Sequence, residues 1–79
     1  MLVKIIHPKA DEISIQSSEF HYCTPGVSSE IAFFMKGEWV TDLIEPFGEY
    51  ADDAIADTRV YAWVPNNLIY AFIEENEDK

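Results

Sequence analysis

Residues 28–44 read SSEIAFFMKGEWVTDLI, and this stretch decides the predicted fold. Two apolar runs flank Lys36-Gly37, as the two arms of a tight β-hairpin flank their turn. Gly37 suits such a turn because glycine takes a positive φ without steric cost. The pattern predicts antiparallel strands at 29–35 and 38–44.

The segment before the hairpin predicts further strands. Residues 2–6, LVKII, are short, apolar and rich in β-branched side chains, and His7-Pro8 ends them because proline cannot continue a strand ladder. Residues 12–23, EISIQSSEFHYC, alternate apolar and polar side chains, as a half-buried strand does. They form either one strand or two pieces joined near Ser17-Ser18. A turn at 24–26, TPG, follows.

The segment after the hairpin begins with a predicted loop. Residues 45–57 contain Pro46, Gly48 and many small and acidic residues, which is typical of a long surface loop. A single helical turn at 50–56 fits within it. Residues 58–64, TRVYAWV, then predict a strand. Simple alternation along this strand puts three small apolar residues on one face and two large aromatic residues on the other: Val60, Ala62 and Val64 against Tyr61 and Trp63.

The C-terminal segment has two interpretations. Leu68, Ile69, Phe72 and Ile73 recur at helical spacing after Pro65, a residue suited to the start of a helix. The same segment also fits the second arm of a hairpin closed by a three-residue loop. We favour the helix. The predicted fold is α+β, a single domain over residues 1–79, with a small, mostly antiparallel sheet of about four or five strands and a short C-terminal helix on one face.

Composition limits the class of protein. A chain of 79 residues allows one domain, and an apolar fraction of 48% is too high for a disordered acidic tail. The single cysteine, Cys23, has no partner for an internal disulfide, so we expect a reducing, cytoplasmic environment. No segment approaches the roughly 20 apolar residues of a membrane helix, and we therefore expect a protein with no membrane partner.

The charge distribution is lopsided. The net charge is −10, and residues 37–79 contribute −9 of it because they carry eleven acids but only Arg59 and Lys79. Such charge strains a small fold by self-repulsion and disfavours direct binding to nucleic acid or an anionic membrane. The candidate partner-binding residues are the acids of the loop and the tail: Asp42, Glu45, Glu49, Asp52, Asp53, Asp57, Glu74 and Glu75.

Metal, cofactor and catalytic sites are not expected. His21 and Cys23 share a face if they lie on a strand, and His7 is a third possible ligand, but a fourth ligand and the usual paired spacings are missing. No glycine-rich oxyanion turn follows Cys23. A working pair of carboxylates needs one acid buried in a cleft, which a chain of 79 residues rarely builds. We therefore predict that the protein is not an enzyme.

Aromatic residues are the remaining candidates for a binding surface. A nucleobase-stacking platform requires a basic groove, which this composition does not provide. Packing in the sheet core is expected for most of the aromatic side chains, and one or two exposed ones suit the anchor of a protein interface. The residues in question are Trp39, Tyr61, Trp63, Tyr70 and Phe72.

The acidic surface has two interpretations of its own. It is a solvated face that keeps the protein in solution, or it is arranged to meet the basic surface of a nucleic-acid-binding protein. Alternate carboxylates along a strand repeat about every 6.5 to 7 Å, close to two nucleotide rises of one DNA strand. Charge imitation of DNA is therefore geometrically feasible.

Residues 38–58, EWVTDLIEPFGEYADDAIADT, and the tail EENED at 74–78 carry a resemblance. In size, charge and general architecture the chain resembles the small phage and prophage-encoded inhibitors of host defence, notably the anti-CRISPR proteins. The resemblance implies a non-catalytic inhibitor, a monomer or homodimer, that blocks DNA binding by a CRISPR-Cas effector. The alternative is a small phage structural or assembly module whose acidity only keeps it soluble.

Overall fold

A five-stranded antiparallel sheet carries one helix, in the computed structural model, which describes residues 1–17, 26–52 and 58–77. This architecture confirms the predicted α+β class. The elements in chain order are strands β1 (Leu2–His7), β2 (Ala10–Gln16), β3 (Ser28–Met35) and β4 (Glu38–Trp39), a 3₁₀ turn (Gly48–Tyr50), strand β5 (Tyr61–Pro65) and helix α1 (Asn66–Asn76).

Strand β3 is the centre of the sheet. One edge of β3 pairs with β2, and β2 pairs with β1, which forms the outer edge. The other edge of β3 is divided between two strands. The half near Phe34 pairs with β4, and the half near Ser29 pairs with β5. Five strands therefore occupy four positions across the sheet.

The β3–β4 hairpin forms at the predicted turn. Lys36 and Gly37 have φ angles of 53° and 81°. Positive values at both central residues match the tight two-residue turn that suits the twist of a hairpin. The backbone N–H of Lys36 also donates to the Asp11 carboxylate at 3.1 Å, which ties the turn to β2.

The predicted extent of the second hairpin strand, 38–44, is wrong. Strand β4 ends at Trp39, and the last sheet-like hydrogen bond runs from the Val40 N–H to the Phe33 carbonyl at 3.0 Å. The chain leaves the sheet there because β5 occupies the rest of this β3 edge. An apolar run such as VTDLI does not reveal a competitor from elsewhere in the chain.

Strand β5 contains a bulge that overturns the predicted faces. Val64 pairs with Ser29 and Tyr61 with Ile31, so two residues of β5, Ala62 and Trp63, stand opposite one residue of β3. Trp63 has a φ of 52°, and its side chain is 54% exposed. Tyr61 and Val64 are both fully buried. The interpretation that put Tyr61 with Trp63, opposite Val64, is therefore wrong.

Helix α1, predicted to follow Pro65, spans Asn66–Asn76 and crosses one face of the sheet. At its start, the Ser29 hydroxyl donates to Oδ1 of Asn66 at 2.6 Å, which holds the helix to β3. Just beyond its end, Glu77 forms a backbone bridge with Ile5 of β1. Ile69 and Phe72 are its buried residues, consistent with the helical spacing read from the sequence.

The first strand is confirmed at 2–6 and extends to His7, whereas the segment predicted as strand over 12–23 is strand only to Gln16 in the described part. The remainder of that segment, with most of the predicted turn at 24–26, lies outside the described residues.

The buried cluster joins the sheet, the helix and the loop after β4, and it includes Ile5, Ile13, Ile31, Phe33, Ile44, Phe47, Tyr61, Val64, Ile69 and Phe72.

Candidate acidic interface

The acidic loop, defined here as residues 41–52, is anchored through its own apolar side chains. Ile44 is 1% exposed and Phe47 is fully buried. The Phe47 ring lies against the ring of Phe72 from α1, with centroids 5.0 Å apart, and against Phe33 of β3, at 5.8 Å. Burial of a Phe side chain is worth about 2 kcal/mol or more. The acidic loop is therefore part of the core.

A buried tyrosine hydroxyl holds the beginning of the acidic loop. The Ile44 N–H donates to Oη of Tyr61 at 3.2 Å, and the Tyr61 hydroxyl lies 3.4 Å from the Asp42 carbonyl, to which it donates. Burial raises the pKa of Tyr61, although the Ile44 hydrogen bond and the positive charge of Arg59 act in the opposite direction. The hydroxyl therefore keeps its proton at neutral pH and remains a donor.

Arg59 joins the two ends of the acidic loop. Its Nε donates to the Thr41 carbonyl at 2.7 Å, and its Nη1 donates to the Asp52 carbonyl at 2.8 Å. The Asp52 N–H also donates to the Val60 carbonyl at 2.9 Å. A planar guanidinium suits this task because its N–H groups point in fixed directions. Closure at both ends leaves the loop little freedom to rearrange as a whole.

The basic side chains around the acidic loop bind carbonyl oxygens. Arg59 is the only arginine of the chain, and both of its described hydrogen bonds go to main-chain oxygens. Lys9, in the β1–β2 turn, donates from Nζ to the Leu43 carbonyl at 3.3 Å. These bonds use two of the five basic residues to hold the loop backbone.

Four carboxylates of the acidic loop are presented to solvent. Asp42, Glu45, Glu49 and Asp52 are all exposed, while Ile44 and Phe47 between them point into the core. The Glu45 carboxylate lies over Gly48, since its Oε1 is 2.7 Å from the position that a Cβ would take on this glycine. A backbone anchored at both ends, with outward carboxylates, is the kind of surface that complements a basic protein.

The predicted site residues fall into three groups. The acidic loop brings together Asp42, Glu45, Glu49 and Asp52, and Asp53 and Asp57 lie outside the described residues. Glu74 and Glu75 are exposed in the last turn of α1, a turn that carries no basic residue. The loop and the helix pack side by side through Phe47 and Phe72, so both acidic segments cover the same face of the sheet.

Sequence reasoning missed the residues that position the acids. The sequence pattern predicts Ile44 at the end of a strand and Phe47 in a surface loop, and it indicates no role for Arg59 or Tyr61 in an acidic site. A signal was present for Phe47, which is a large aromatic residue between Pro46 and Gly48 in an otherwise small and polar segment. For Arg59 the signal was its position as one of two basic residues after Gly37.

His7, one of the three candidate metal ligands, has structural contacts. His7 accepts a hydrogen bond at Nδ1 from the Lys9 N–H at 3.1 Å, and its ring packs on Phe72 with centroids 5.6 Å apart. Burial, and then the charge of Lys9, lower the pKa of His7. His21 and Cys23 lie outside the described residues. In residues 1–17, 26–52 and 58–77, no three His, Cys, Asp or Glu side chains come together as a metal site.

The aromatic residues divide between core and surface. Tyr61 and Phe72 are buried, as expected for sheet-core packing. Trp39, Trp63 and Tyr70 are exposed by 42%, 54% and 62% of their surface. Core packing therefore accounts for fewer of these five residues than predicted, and three aromatic side chains remain accessible to a partner.

Comparisons with known proteins found no matching family model, no matching curated protein and no matching solved structure. Of the described residues, none forms a helix with the length and apolar character needed to cross a bilayer.

Proposed function

We propose that this protein is a non-catalytic ligand for a basic, nucleic-acid-binding surface of another protein, and that the acidic loop is its principal contact. The observation that carries the proposal is the way the loop is held. Ile44, Phe47, Tyr61 and Arg59 fix its backbone, while its four described carboxylates face solvent. A surface ordered before binding loses less conformational entropy on association.

The hydrogen bonds of the basic side chains also favour a binding role over a merely solubilising one. Charge that only keeps a protein in solution needs no fixed position. Here Arg59 and Lys9 donate to main-chain carbonyls at 2.7 to 3.3 Å. These bonds order the backbone but leave the carboxylates available to a partner. Opposite charges on a partner would then give fast association that weakens with salt.

The narrower form of the proposal is an inhibitor of host defence in the bacterial cytosol, of the anti-CRISPR kind, that prevents a CRISPR-Cas effector from binding DNA. It is supported by the size, the acidity and the ordered loop. The test adds the purified protein to a panel of effector complexes and follows the binding of labelled duplex DNA by anisotropy. A stoichiometric loss of DNA binding by at least one effector is expected, and no loss with any of them would reject this form.

The contact residues are tested with paired variants of equal charge change. Glu45→Gln with Glu49→Gln removes two carboxylates from the acidic loop, and Glu74→Gln with Glu75→Gln removes two from the end of α1. Each close charge pair across an interface couples by about 1.5 kcal/mol or more, so the loop pair is expected to weaken binding at least tenfold. Equal effects of the two pairs would show that net charge alone matters and would overturn the role of the loop.

A second candidate is an assembly module that associates with itself. The observation in its favour is the outer edge of the sheet, where Leu2 and Ile6 of β1 are 63% and 64% exposed. Apart from the bridge between Ile5 and Glu77, this edge has no strand partner among the described residues, and such edges readily join another strand. Light scattering at low and high salt separates the candidates, because a module should self-associate once its repulsion is screened, whereas the proposed ligand should remain a monomer or dimer at both salt concentrations.

A further inference from the structure

The sheet has a second face, opposite the one on which helix α1 and the acidic loop pack. Phe33 contacts Phe47 of the loop and Phe72 of the helix, with ring centroids 5.8 and 5.7 Å apart, so its side of the sheet is the covered one. Side chains alternate along a strand. The neighbour of Phe33 in β3, Phe34, therefore lies on the other side, which we call the open face.

A row of paired residues crosses the open face. Lys4 of β1 lies opposite Glu12 of β2, which lies opposite Phe34 of β3. Trp39 of β4 follows on the far side of Phe34. The Phe34 and Trp39 rings have centroids 4.8 Å apart, and Trp39 remains 42% exposed. Residues directly opposite each other share a face, so the row ends in an accessible aromatic pair on the open face.

The charges of the open face nearly cancel. Lys4 and Glu12 form an ion pair at 3.6 Å. The neighbouring rows of β1, β2 and β3 add Leu2, Ser14 and Ala32, and then Gln16 and Glu30. These paired positions carry a net −1, although the whole chain carries −10. Charge is therefore segregated, because the acidic loop and the acids of α1 lie on the covered side.

We propose that the open face is the contact between two copies of this chain, with the Phe34–Trp39 pair of each copy against that of the other. A two-fold contact brings the same patch of both copies together. A charged patch is repelled by its own copy, whereas a nearly neutral aromatic one is not. Tryptophan is also over-represented among the anchors of protein interfaces. This inference does not depend on the proposed function.

Such a dimer keeps the two acidic loops apart. Facing sheets pack about 10 Å apart, and each loop lies one further layer away on the far side of its own sheet, so the loops are separated by on the order of 30 Å. The Debye length is about 10 Å at 0.1 M salt, which screens repulsion over that distance. A second copy therefore fits the open face better than a nucleic acid, whose phosphates are repelled by the net −10 of the chain.

The dimer is expected to be weak. The sheet is four positions wide, and β3 has eight residues, so the open face measures about 500 Å² per copy at ordinary strand spacings. Stable interfaces bury about 800 Å² per partner. Sedimentation velocity from about 1 μM to about 500 μM, at about 0.15 M salt, covers the range of a weak dimer. A monomer–dimer equilibrium with no larger species is expected.

Two substitutions of Trp39 separate the contact from net charge. Trp39→Glu and Trp39→Lys change the net charge in opposite directions, but each brings two like charges together in the contact. Both should weaken dimerisation at least about tenfold. Tyr70→Glu and Tyr70→Lys are the matched controls, because Tyr70 is an aromatic residue of α1, on the covered side, and is 62% exposed. They should change the dissociation constant by less than about threefold, which is under 1 kcal/mol.

Thermal melting checks that each variant folds, and uncharged Trp39→Gln, also expected to weaken the dimer, replaces any variant that does not. A parent that stays monomeric at every concentration, or that forms larger assemblies, would overturn the inference. So would a dimer strengthened by Trp39→Lys, since net charge would then be responsible. A dimer that survives all Trp39 variants would lie elsewhere, such as at the edge of β1. Trp39-dependent binding of a monomer to phosphatidylcholine vesicles or to an oligonucleotide would assign the open face to another occupant and would equally reject the dimer.

Discussion

The Nε of Arg59 donates a hydrogen bond to the Thr41 carbonyl at 2.7 Å, although this arginine belongs to a chain with fifteen acids. The guanidinium bonds the backbone of the acidic loop at both ends, since Nη1 reaches the Asp52 carbonyl. Its charge thereby closes the loop, and the four described carboxylates remain on the outer side. This relationship makes the stability of the fold and the presentation of the acids interdependent, and it can be tested.

Arg59→Ala is expected to lower the free energy of unfolding by about 2 kcal/mol, because it removes two hydrogen bonds from a charged donor at a half-buried position. Urea denaturation monitored by circular dichroism measures the change. Lys36→Asn is the control, since it removes one positive charge from an exposed residue and asparagine tolerates a positive φ. An equal loss in the two variants would show that charge, and not loop closure, is responsible.

Tyr61→Phe is expected to cost about 1 to 2 kcal/mol, because the Ile44 N–H loses its acceptor in the core. The pH dependence of the free energy of unfolding tests the role of the Tyr61 hydroxyl more specifically. Burial raises the pKa of Tyr61 in the folded state, so as pH rises above about 10 the unfolded state loses its tyrosine proton first. The contribution of Tyr61 to stability is therefore present below pH 10 and is lost as pH rises through the folded pKa. Urea melts from pH 9 to 11 should show a steeper decline for the parent than for Tyr61→Phe, and parallel curves would contradict this assignment.

His7 is expected to make the protein less stable in mild acid. Burial and the charge of Lys9 lower the pKa of His7, so the unfolded state takes up its proton first as pH falls below about 6.5. The stability from neutral His7 is thus present above pH 6.5 and is lost as pH falls through the folded pKa. His7→Asn retains an acceptor for the Lys9 N–H but does not titrate. A parent whose loss of stability from pH 7 to 5 equals that of His7→Asn would be evidence against the shift.

Moderate salt is expected to raise the melting temperature. The Debye length falls from about 30 Å at 0.01 M to about 10 Å at 0.1 M, which screens the repulsion within residues 37–79. A variant with Asp42→Asn, Glu45→Gln, Glu49→Gln and Asp52→Asn should show a smaller rise, because less repulsion remains. A melting temperature that is flat or falls in the parent would count against a crowded acidic face.

Phe47→Ala is expected to cost much more stability than Trp63→Gly. Phe47 is fully buried among aromatic rings, and its loss should cost about 3 kcal/mol or more. Trp63 is 54% exposed with a φ of 52°, a conformation that costs a non-glycine residue about 1 to 2 kcal/mol. Glycine relieves that cost and loses the contacts of the indole, so the net change should stay within about 1 kcal/mol. Denaturation of both variants ranks them, and a larger loss for Trp63→Gly would refute the ranking.

The acidic residues of the candidate site could be predicted from the sequence, but the buried residues that position them could not. The acids at Asp42, Glu45, Glu49 and Asp52 could be identified from charge alone, and their exposure follows from the cost of burying a carboxylate. Their arrangement could not be read in this way. Ile44 and Phe47 are buried because Phe33, Tyr61 and Phe72 meet around them, and those residues come from separate elements far apart in sequence.

The amino-acid sequence by itself determined the local features of this protein: the turn at Lys36-Gly37, the apolar strand at 2–6, the helix over 66–76 and the net charge of −10. Each depends on neighbours in sequence, because periodicity, turn conformation and charge are properties of short segments. Only the tertiary structure decided where β4 ends and which way Tyr61 faces. Both depend on competition between β4 and β5 for one edge of β3 and on a bulge that adds one residue to the register. Such non-local pairings depend on the packing of the whole core, and the sequence of a short segment does not specify them.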